Sequence, residues 1–467
     1  MNFIGIDTHY ACADGMERTR IHLDGAASPL ASKVAVDAAS ALLPHYSNSH
    51  SYVHNSAQIS TRAFAWAEDT VLDYLGADKQ EYTAIFMGSG TTAHVNRLAR
   101  GLNGRANERP VVLVSSMEHH ANDLPHRLPG NDVHYLDLAG HGRDMGAIDL
   151  ESTKQMITNT GDRLNYLACS SISNVTGISN NWPELAALVH AQDALILVDA
   201  AQSVAHQECD FSSLEPTQRP DFLVFSGHKL YAPMAPGVLV AKRSEIRKLA
   251  GQNVGGGSVA DVSLHDYELL DTLPDREQSG TPNIIGAFAL ASVMKALKSE
   301  GLKKVRKREQ DLMTKLITQL CDLPSIEVYG DLKEPRLGAV SFNHKHIPQS
   351  LLAAILNDYY GIAVRNECFC AHPYVSELLK EDLWEMDLDG LDDAQIATLV
   401  AQNRGMVRAS ISHYTTEADI DSLIAALADI DKKQEEYTSH YEALTDGSFK
   451  HTSYRLDWES ELAGLIG

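Results

Sequence analysis

The chain has 467 residues, about three times the length of a typical domain, which excludes a single small binding module and leads us to expect two or three lobes. Hydrophobic residues make up 44% and charged residues 22%, a globular balance that argues against a disordered chain, a collagen-like repeat or a coiled-coil rod. Acids outnumber bases 62 to 39, and the net charge of −23 opposes binding to nucleic acid or to an anionic membrane surface. Six scattered cysteines do not form a disulfide framework or a zinc-ligand spacing, which fits a reducing compartment. Met1 to Arg20 lacks a basic segment followed by an apolar one, and no window reaches the ~18 apolar residues of a membrane span, so a cytoplasmic location is expected.

Short apolar, β-branched runs predict seven strands: Thr83 to Phe86, Val111 to Ser115, Val133 to Leu136, Asn165 to Ser170, Ala194 to Asp199, Phe222 to Ser226 and Val238 to Lys242. Helical segments fall between several of them, including Thr91 to Leu102 and Glu184 to His190, the latter behind Pro183. Alternation of this kind predicts an α/β fold with a mixed, mostly parallel seven-stranded sheet covered on both faces. Beyond about residue 295, longer helical stretches and short strands near 326–329, 339–342, 362–364 and 407–411 predict a smaller α+β lobe. Its last helix is expected to start near Thr415 and Thr416 and to run through Leu423 and Leu427; the polar, aromatic tail from about Tyr437 has no clear assignment. The expected division is a large domain, 27–295, and a small one made of 1–26 and 296–467.

Four features carry chemistry. Lys229 follows an apolar strand in Phe225-Ser226-Gly227-His228-Lys229, where open α/β sheets gather ligands. Asp199 ends the strand Ile196-Leu197-Val198, and a buried carboxylate there needs a partner such as a protonated heterocycle nitrogen. Gly88-Ser89-Gly90-Thr91-Thr92 lies between a strand and a helix, where free N–H groups suit phosphate; it lacks the lysine of a Walker loop and the dinucleotide fingerprint. His119, within Glu118-His119-His120-Ala121-Asn122, offers an imidazole that can lie against an aromatic cofactor, and no metal-ligand spacing is present. A lysine, an acid, a phosphate turn and a flat imidazole together point to pyridoxal 5′-phosphate (PLP).

In this order along the chain, these motifs resemble the class V aminotransferase group of PLP fold type I enzymes, within it the cysteine desulfurase and selenocysteine lyase branch. The resemblance extends from His22-Leu23-Asp24-Gly25-Ala26-Ala27 through Ser173-Asn174-Val175-Thr176-Gly177, Val198-Asp199-Ala200-Ala201-Gln202 and Ser279-Gly280-Thr281-Pro282-Asn283 to Val407-Arg408-Ala409-Ser410. It implies that Lys229 is the Schiff-base lysine, Asp199 the ring-nitrogen partner, Gln202 a hydrogen-bonder to the ring hydroxyl and His119 the stacking imidazole. It further implies Thr91, Thr92, Ser226 and His228 as phosphate binders, and Thr281 as a residue given to a neighbouring subunit's site, hence a homodimer. Arg408 resembles the residue that grips the substrate α-carboxylate through its guanidinium fork, with Asn174 as helper to cofactor and substrate and Arg365 as the second candidate for that grip.

Val364-Arg365-Asn366-Glu367-Cys368-Phe369-Cys370-Ala371 corresponds to the segment that bears the reactive cysteine in desulfurases, which places Cys370 on the nucleophile. Glu367 stands where the family has glycine, Cys368 and Phe369 where it has a polar, often His-containing pair, and Ala93 and His94 also depart from the pattern, implying a side branch. Glu367 opposes a thiolate and Arg365 favours it. If the segment is extended, Cys368 faces away from Cys370 and is a poor duplicate nucleophile; if it is a flexible loop, Cys368 is a candidate persulfide acceptor. The expected activity is removal of sulfur or selenium from L-cysteine or L-selenocysteine, giving alanine, with a sulfur-acceptor protein as a partner. The rivals are another class V reaction (an aminotransferase, a β-eliminating lyase or an epimerase) or a non-catalytic sulfur-relay scaffold.

Overall fold

A computed structural model describes residues 1–49, 51–249, 253–384, 386, 390 and 392–466. All seven expected strands occur, as β1 (Tyr82–Met87), β2 (Val111–Ser115), β3 (Asp132–Leu136), β4 (Leu164–Ser170), β5 (Leu195–Asp199), β6 (Phe222–Ser226) and β7 (Gly237–Lys242). They form one seven-stranded sheet in the order β1-β7-β6-β5-β4-β2-β3. Only β7 runs against its neighbours β1 and β6; the other pairings are parallel. The central strands are buried along their whole length, which is why they read as continuous apolar runs without alternation.

Two apolar layers explain that burial. On one face, α1 (Asn55–Tyr74), α3 (Trp182–His190) and α4 (Ile284–Glu300) pack Phe64, Val71, Leu185, Leu290 and Met294 against Phe86, Leu113, Leu167, Ile196 and Phe225. On the other, α2 (Thr91–Leu102) sets Val95, Leu98 and Leu102, spaced three and four apart, on Val114, Tyr166, Leu197 and Val224. Pro183 sits in the first turn of α3, where the missing N–H costs nothing.

The smaller α+β layer contains β8 (Ile326–Val328), β9 (Ala339–His344) and β10 (Val407–Ser410), antiparallel throughout. Helices α5 (Leu302–Cys321), α6 (Gln349–Tyr360) and α7 (Glu417–Lys432) enclose their own core, which Leu23 of the N-terminal segment joins. Thr416 caps α7: its hydroxyl accepts from Asp419 N–H while the Asp419 carboxylate accepts from Thr416 N–H at 2.7 Å. Ile21–His22 pairs in parallel with Ile362–Ala363, so the N-terminal segment runs beside the strand leading to Cys370. The unassigned tail forms a hairpin, Tyr441–Ala443 with Phe449–His451, and an exposed helix, Trp458–Ile466. His440 and His451 anchor it by hydrogen-bonding the Tyr359 hydroxyl of α6 at 2.6 and 2.9 Å. A second unforeseen hairpin, Val259–Val262 with Tyr267–Leu269, is largely exposed and carries no alternating apolar pattern. Among the described residues, no helix is long and apolar enough to cross a membrane.

Candidate active site

The C-terminal ends of the parallel strands meet at one edge of the sheet. After β1 the chain turns through Gly88 (φ +58°) into α2, and Gly90 and Gly237 come so close that a Cβ on Gly237 would lie 2.3 Å from the Gly90 carbonyl oxygen. A Cβ on Gly90 would lie 2.8 Å from Ser226 Oγ. Only glycine leaves this space open. Thr91 N–H donates to Ser226 Oγ at 2.9 Å and the two hydroxyls are also 2.9 Å apart, with Thr92 exposed beside them in the first helical turn. His228 joins the rim through Ser28 Oγ at 3.3 Å. The unpaired N–H groups and hydroxyls of a helix start make an anion cradle here.

Asp199, at the end of β5, is 5% exposed and accepts from Ala201 N–H at 2.9 Å. Burial pushes its carboxyl up to about 6, and the Ala201 hydrogen bond and nearby Lys229 restrain the rise. Lys229 lies in the short turn Gly227–Leu230 after β6; burial holds its amine down at about 8, against the pull of Asp199. Burial, with Lys229 next in weight, lowers His119 to about 4, so its ring is neutral at pH 7. Ala121 N–H donates to His119 Nδ1 at 3.0 Å, which puts the ring proton on Nε2. Gln202 is fixed by its amide donating to the Ala26 carbonyl at 2.9 Å. Behind Asp199, Glu118 accepts from Asn122 Nδ2 at 2.6 Å and Ser170 N–H at 2.7 Å, yet burial pushes it up to about 8.

Arg408 on β10 is buried, and its guanidinium donates to the Asn174 carbonyl at 2.7 Å and to Asp24 Oδ1 at 3.4 Å. Its Nε is buried without a hydrogen-bond partner, and the residue lines the site cavity. Burial lowers it to about 10, with Asp24 opposing. The Phe369 ring lies 4.7 Å from the guanidinium carbon, and the Asn174 side-chain amide donates to the Phe369 carbonyl at 2.8 Å. Arg408, Asn174 and Phe369 therefore close a triangle that ties the arginine to the cysteine loop. A backbone pair between Arg365 and Arg408, at 2.7 and 3.1 Å, adds a second tie.

The cysteine loop is a turn rather than an extended segment. Phe369 and Cys370 are both left-handed (φ +51° and +55°), and Ala371 N–H donates to the Cys368 carbonyl at 2.9 Å. Of the two arrangements weighed for Cys368 and Cys370, extended or loop, the structure has the loop, because two consecutive left-handed residues reverse the chain. Glu367, in the position expected for glycine, adopts φ +84°, a conformation that glycine takes without strain. Its backbone is pinned by Gln349 Oε1 at 3.1 Å and Met406 N–H at 3.0 Å, which holds the strained residue in place. Cys370 is exposed, and its carbonyl accepts from His120 N–H at 2.7 Å.

These elements enclose a cavity of about 380 Å³ lined by Lys229, Asp199, His119, Gln202, Thr91, Thr92, Ser226, His228, Asn174, Arg365, Arg408 and Cys370. Of the site residues expected from sequence, Thr281 alone is not in this lining; it is exposed and donates to Asn48 Oδ1 at 3.2 Å. The donor set fits a phosphorylated pyridine aldehyde: an anion cradle of N–H groups and hydroxyls kept open by glycines, a buried acid, a lysine amine lining the same space, and a buried Ser170 hydroxyl with no protein partner.

The model of the family described as Aminotransferase class-V matches residues 21–423. The chain belongs to this family. Cysteine desulfurase from Salmonella typhimurium is 31% identical over 418 residues, spanning 88% of this chain and 93% of that one. The apo structure of cysteine desulfurase from Thermococcus onnurineus NA1 superposes with a TM-score of 0.76 at 27% identity, covering 88% of this chain and 95% of that one. Cysteine desulfurase CsdA of Escherichia coli, in an S-sulfonic acid form, gives 0.72 at 26% identity with the same coverage. Three participants in this class-V site were not singled out from sequence: Glu118, Asp24 and Phe369. An acid directly before the paired histidines and one inside Leu23-Asp24-Gly25 were the available signals for the first two. Nothing local marks an aromatic residue as the floor of an arginine.

Proposed function

We propose that this class-V enzyme is a PLP-dependent cysteine desulfurase that takes sulfur from L-cysteine onto Cys370 and releases alanine. The observation that carries the proposal is the convergence of Lys229, Asp199, Arg408 and Cys370 on one cavity. Thr91, Thr92, Ser226 and His228 would hold the phosphate, Asp199 the ring nitrogen, Gln202 the ring hydroxyl, and neutral His119 the ring face. Bound there, PLP supplies an electron sink for the substrate Cα.

The chain's own groups do the rest. Arg408, a buried guanidinium lining the cavity, would pair with the substrate carboxylate and so fix the orientation of Cα. Lys229, with its amine held at about 8, is poised to carry the Cα proton near neutral pH. Asp199 would hold a proton on the ring nitrogen, since a facing cation favours its ionised form against the burial that raises it. Cys370 Sγ attacks the substrate sulfur, forming an S–S bond as the Cβ–S bond breaks, and the Cβ side is protonated to give alanine.

Thr281 belongs to this reading as a contribution to a second subunit's site in a homodimer, supported by its exposed position outside this cavity. Selenocysteine is the second substrate, because a Cβ–Se bond breaks more readily. The test compares the two. Cys370→Ser should stop alanine release from L-cysteine while retaining it from L-selenocysteine; undiminished release from L-cysteine would remove the thiol from the mechanism.

A further inference from the structure

The loop that carries Cys370 is a wall between two cavities. Beyond it lies a second space of about 590 Å³, bounded by Gln349, Ala401, Arg404 and Asp446. Cys370 lines only the first cavity, whereas Cys368 lines both. The Cys368 thiol donates to the Arg404 carbonyl at 3.2 Å, so it is directed toward the second space.

We propose that Cys368 is a sulfur relay, taking the sulfane sulfur from Cys370 and passing it to a small zwitterionic thiol, such as free cysteine, bound in the second cavity. This rests on the reading of Cys370 as the thiol that receives substrate sulfur. Geometry permits the first transfer: residues two apart cannot have Cα atoms more than about 7 Å apart, and the turn at Phe369 and Cys370 shortens that span. A persulfide adds ~2 Å of reach to Cys370, whose exposed side chain is free to rotate.

The transfer conserves atoms and electrons. The Cys368 sulfur attacks the outer sulfur of the Cys370 persulfide; that S–S bond breaks, a new one forms on Cys368, and the Cys368 thiol proton ends on Cys370. The acceptor thiol then repeats the exchange, leaving as its own persulfide while Cys368 regains a proton. No oxidant or reductant is required. Cys368 does not compete for the substrate itself, because it is 5% exposed and its thiol is turned to the Arg404 carbonyl on the side of the second space.

The rim of the second cavity specifies the acceptor. The exposed Arg404 guanidinium has no carboxylate partner among the described residues, and the carboxylates of Glu367 and Asp446 line the same space. Opposite charges lining the same space as a sulfur suit a molecule with a carboxylate, an ammonium and a thiol. That arrangement distinguishes this cavity from the first, where Arg408 and Lys229 serve the substrate.

The test uses the PLP-loaded enzyme, rapidly mixed with excess L-cysteine, quenched with an alkylating agent and mapped by mass spectrometry. In wild type, persulfide should appear on Cys370 first and on Cys368 second. Cys368→Ser should release alanine in the first turnover, keep its persulfide on Cys370 and lose at least tenfold in later turnovers. Ala401→Trp, which narrows the second cavity and leaves both cysteines in the chain, should accumulate persulfide on Cys368. Absence of sulfur on Cys368 at every time point, with Ala401→Trp turning over as wild type, overturns the relay. Absence of any alanine from wild type overturns the desulfurase reading and the relay with it.

Discussion

The sheet-edge cradle and the cysteine loop share one cavity but are built in opposite ways. Lys229, Asp199, Thr91 and Ser226 sit at the ends of buried parallel strands, on backbone whose position is dictated by the sheet register. Cys370 sits on a turn in which three of four consecutive residues, Glu367, Phe369 and Cys370, are left-handed. That loop is held from outside, by His120, Asn174, Gln349 and the Arg365–Arg408 pair. The difference teaches where each part of the proposed chemistry would be set: the cradle would hold PLP on rigid elements, while a strained and separately tethered loop would govern what is done with the sulfur.

Breaking the cradle should have the largest effect. Lys229→Ala should lose at least ~10³-fold in alanine formation and the covalent label left by borohydride reduction, without loss of fold. Asp199→Asn should keep PLP, since the phosphate cradle and Lys229 remain, but fall by ~10²-fold or more in rate. If absorbance titration showed PLP lost instead, the acid would be an anchor rather than an electronic partner.

Loosening the link between the two regions should cost less. Phe369→Ala removes the ring from beneath Arg408, and a cation–π contact worth ~0.5–2 kcal/mol implies a rise in KM for L-cysteine of a few-fold to about thirtyfold with PLP affinity unchanged. An equal loss of PLP affinity would show that Phe369 supports the cradle as well.

The buried acid behind Asp199 gives a pH signature. Glu118 is pushed up to about 8, so its favourable, protonated contribution is complete below the usual carboxylate range and disappears as pH rises through 8. The Tm of Glu118→Gln relative to wild type should therefore increase between pH 5 and 8; a constant difference would place a charge partner on Glu118. The smallest effect belongs to the loop backbone. A left-handed residue costs ~1–2 kcal/mol and glycine loses ~0.5–1 kcal/mol in chain entropy, so Glu367→Gly should gain about 0.5–1 kcal/mol in a denaturant titration.

The cradle was legible in the sequence because its residues sit at strand ends that apolar runs mark directly, and Thr91, Asp199, Ser226 and Lys229 all line the cavity as expected. The seven strands were legible for the same reason. The loop was not, since its shape depends on partners far away in sequence: Asn174, 195 residues before Phe369, and Gln349 under Glu367. Glu367 shows the limit well, for the sequence departs from glycine while the backbone keeps the glycine conformation. The hairpin at 441–451 escaped notice because its anchors are tyrosine and histidine hydrogen bonds rather than a periodic apolar face.

The central claim is that this cavity removes sulfur rather than an amino group. The most direct measurement is the product balance from L-cysteine with PLP-loaded enzyme and a thiol acceptor, assayed for alanine, sulfane sulfur plus sulfide, and keto acid. The account predicts alanine and released sulfur in equal amounts with no keto acid. Pyruvate with ammonia, or a keto acid that keeps its sulfur, would contradict it and assign the site to β-elimination or transamination.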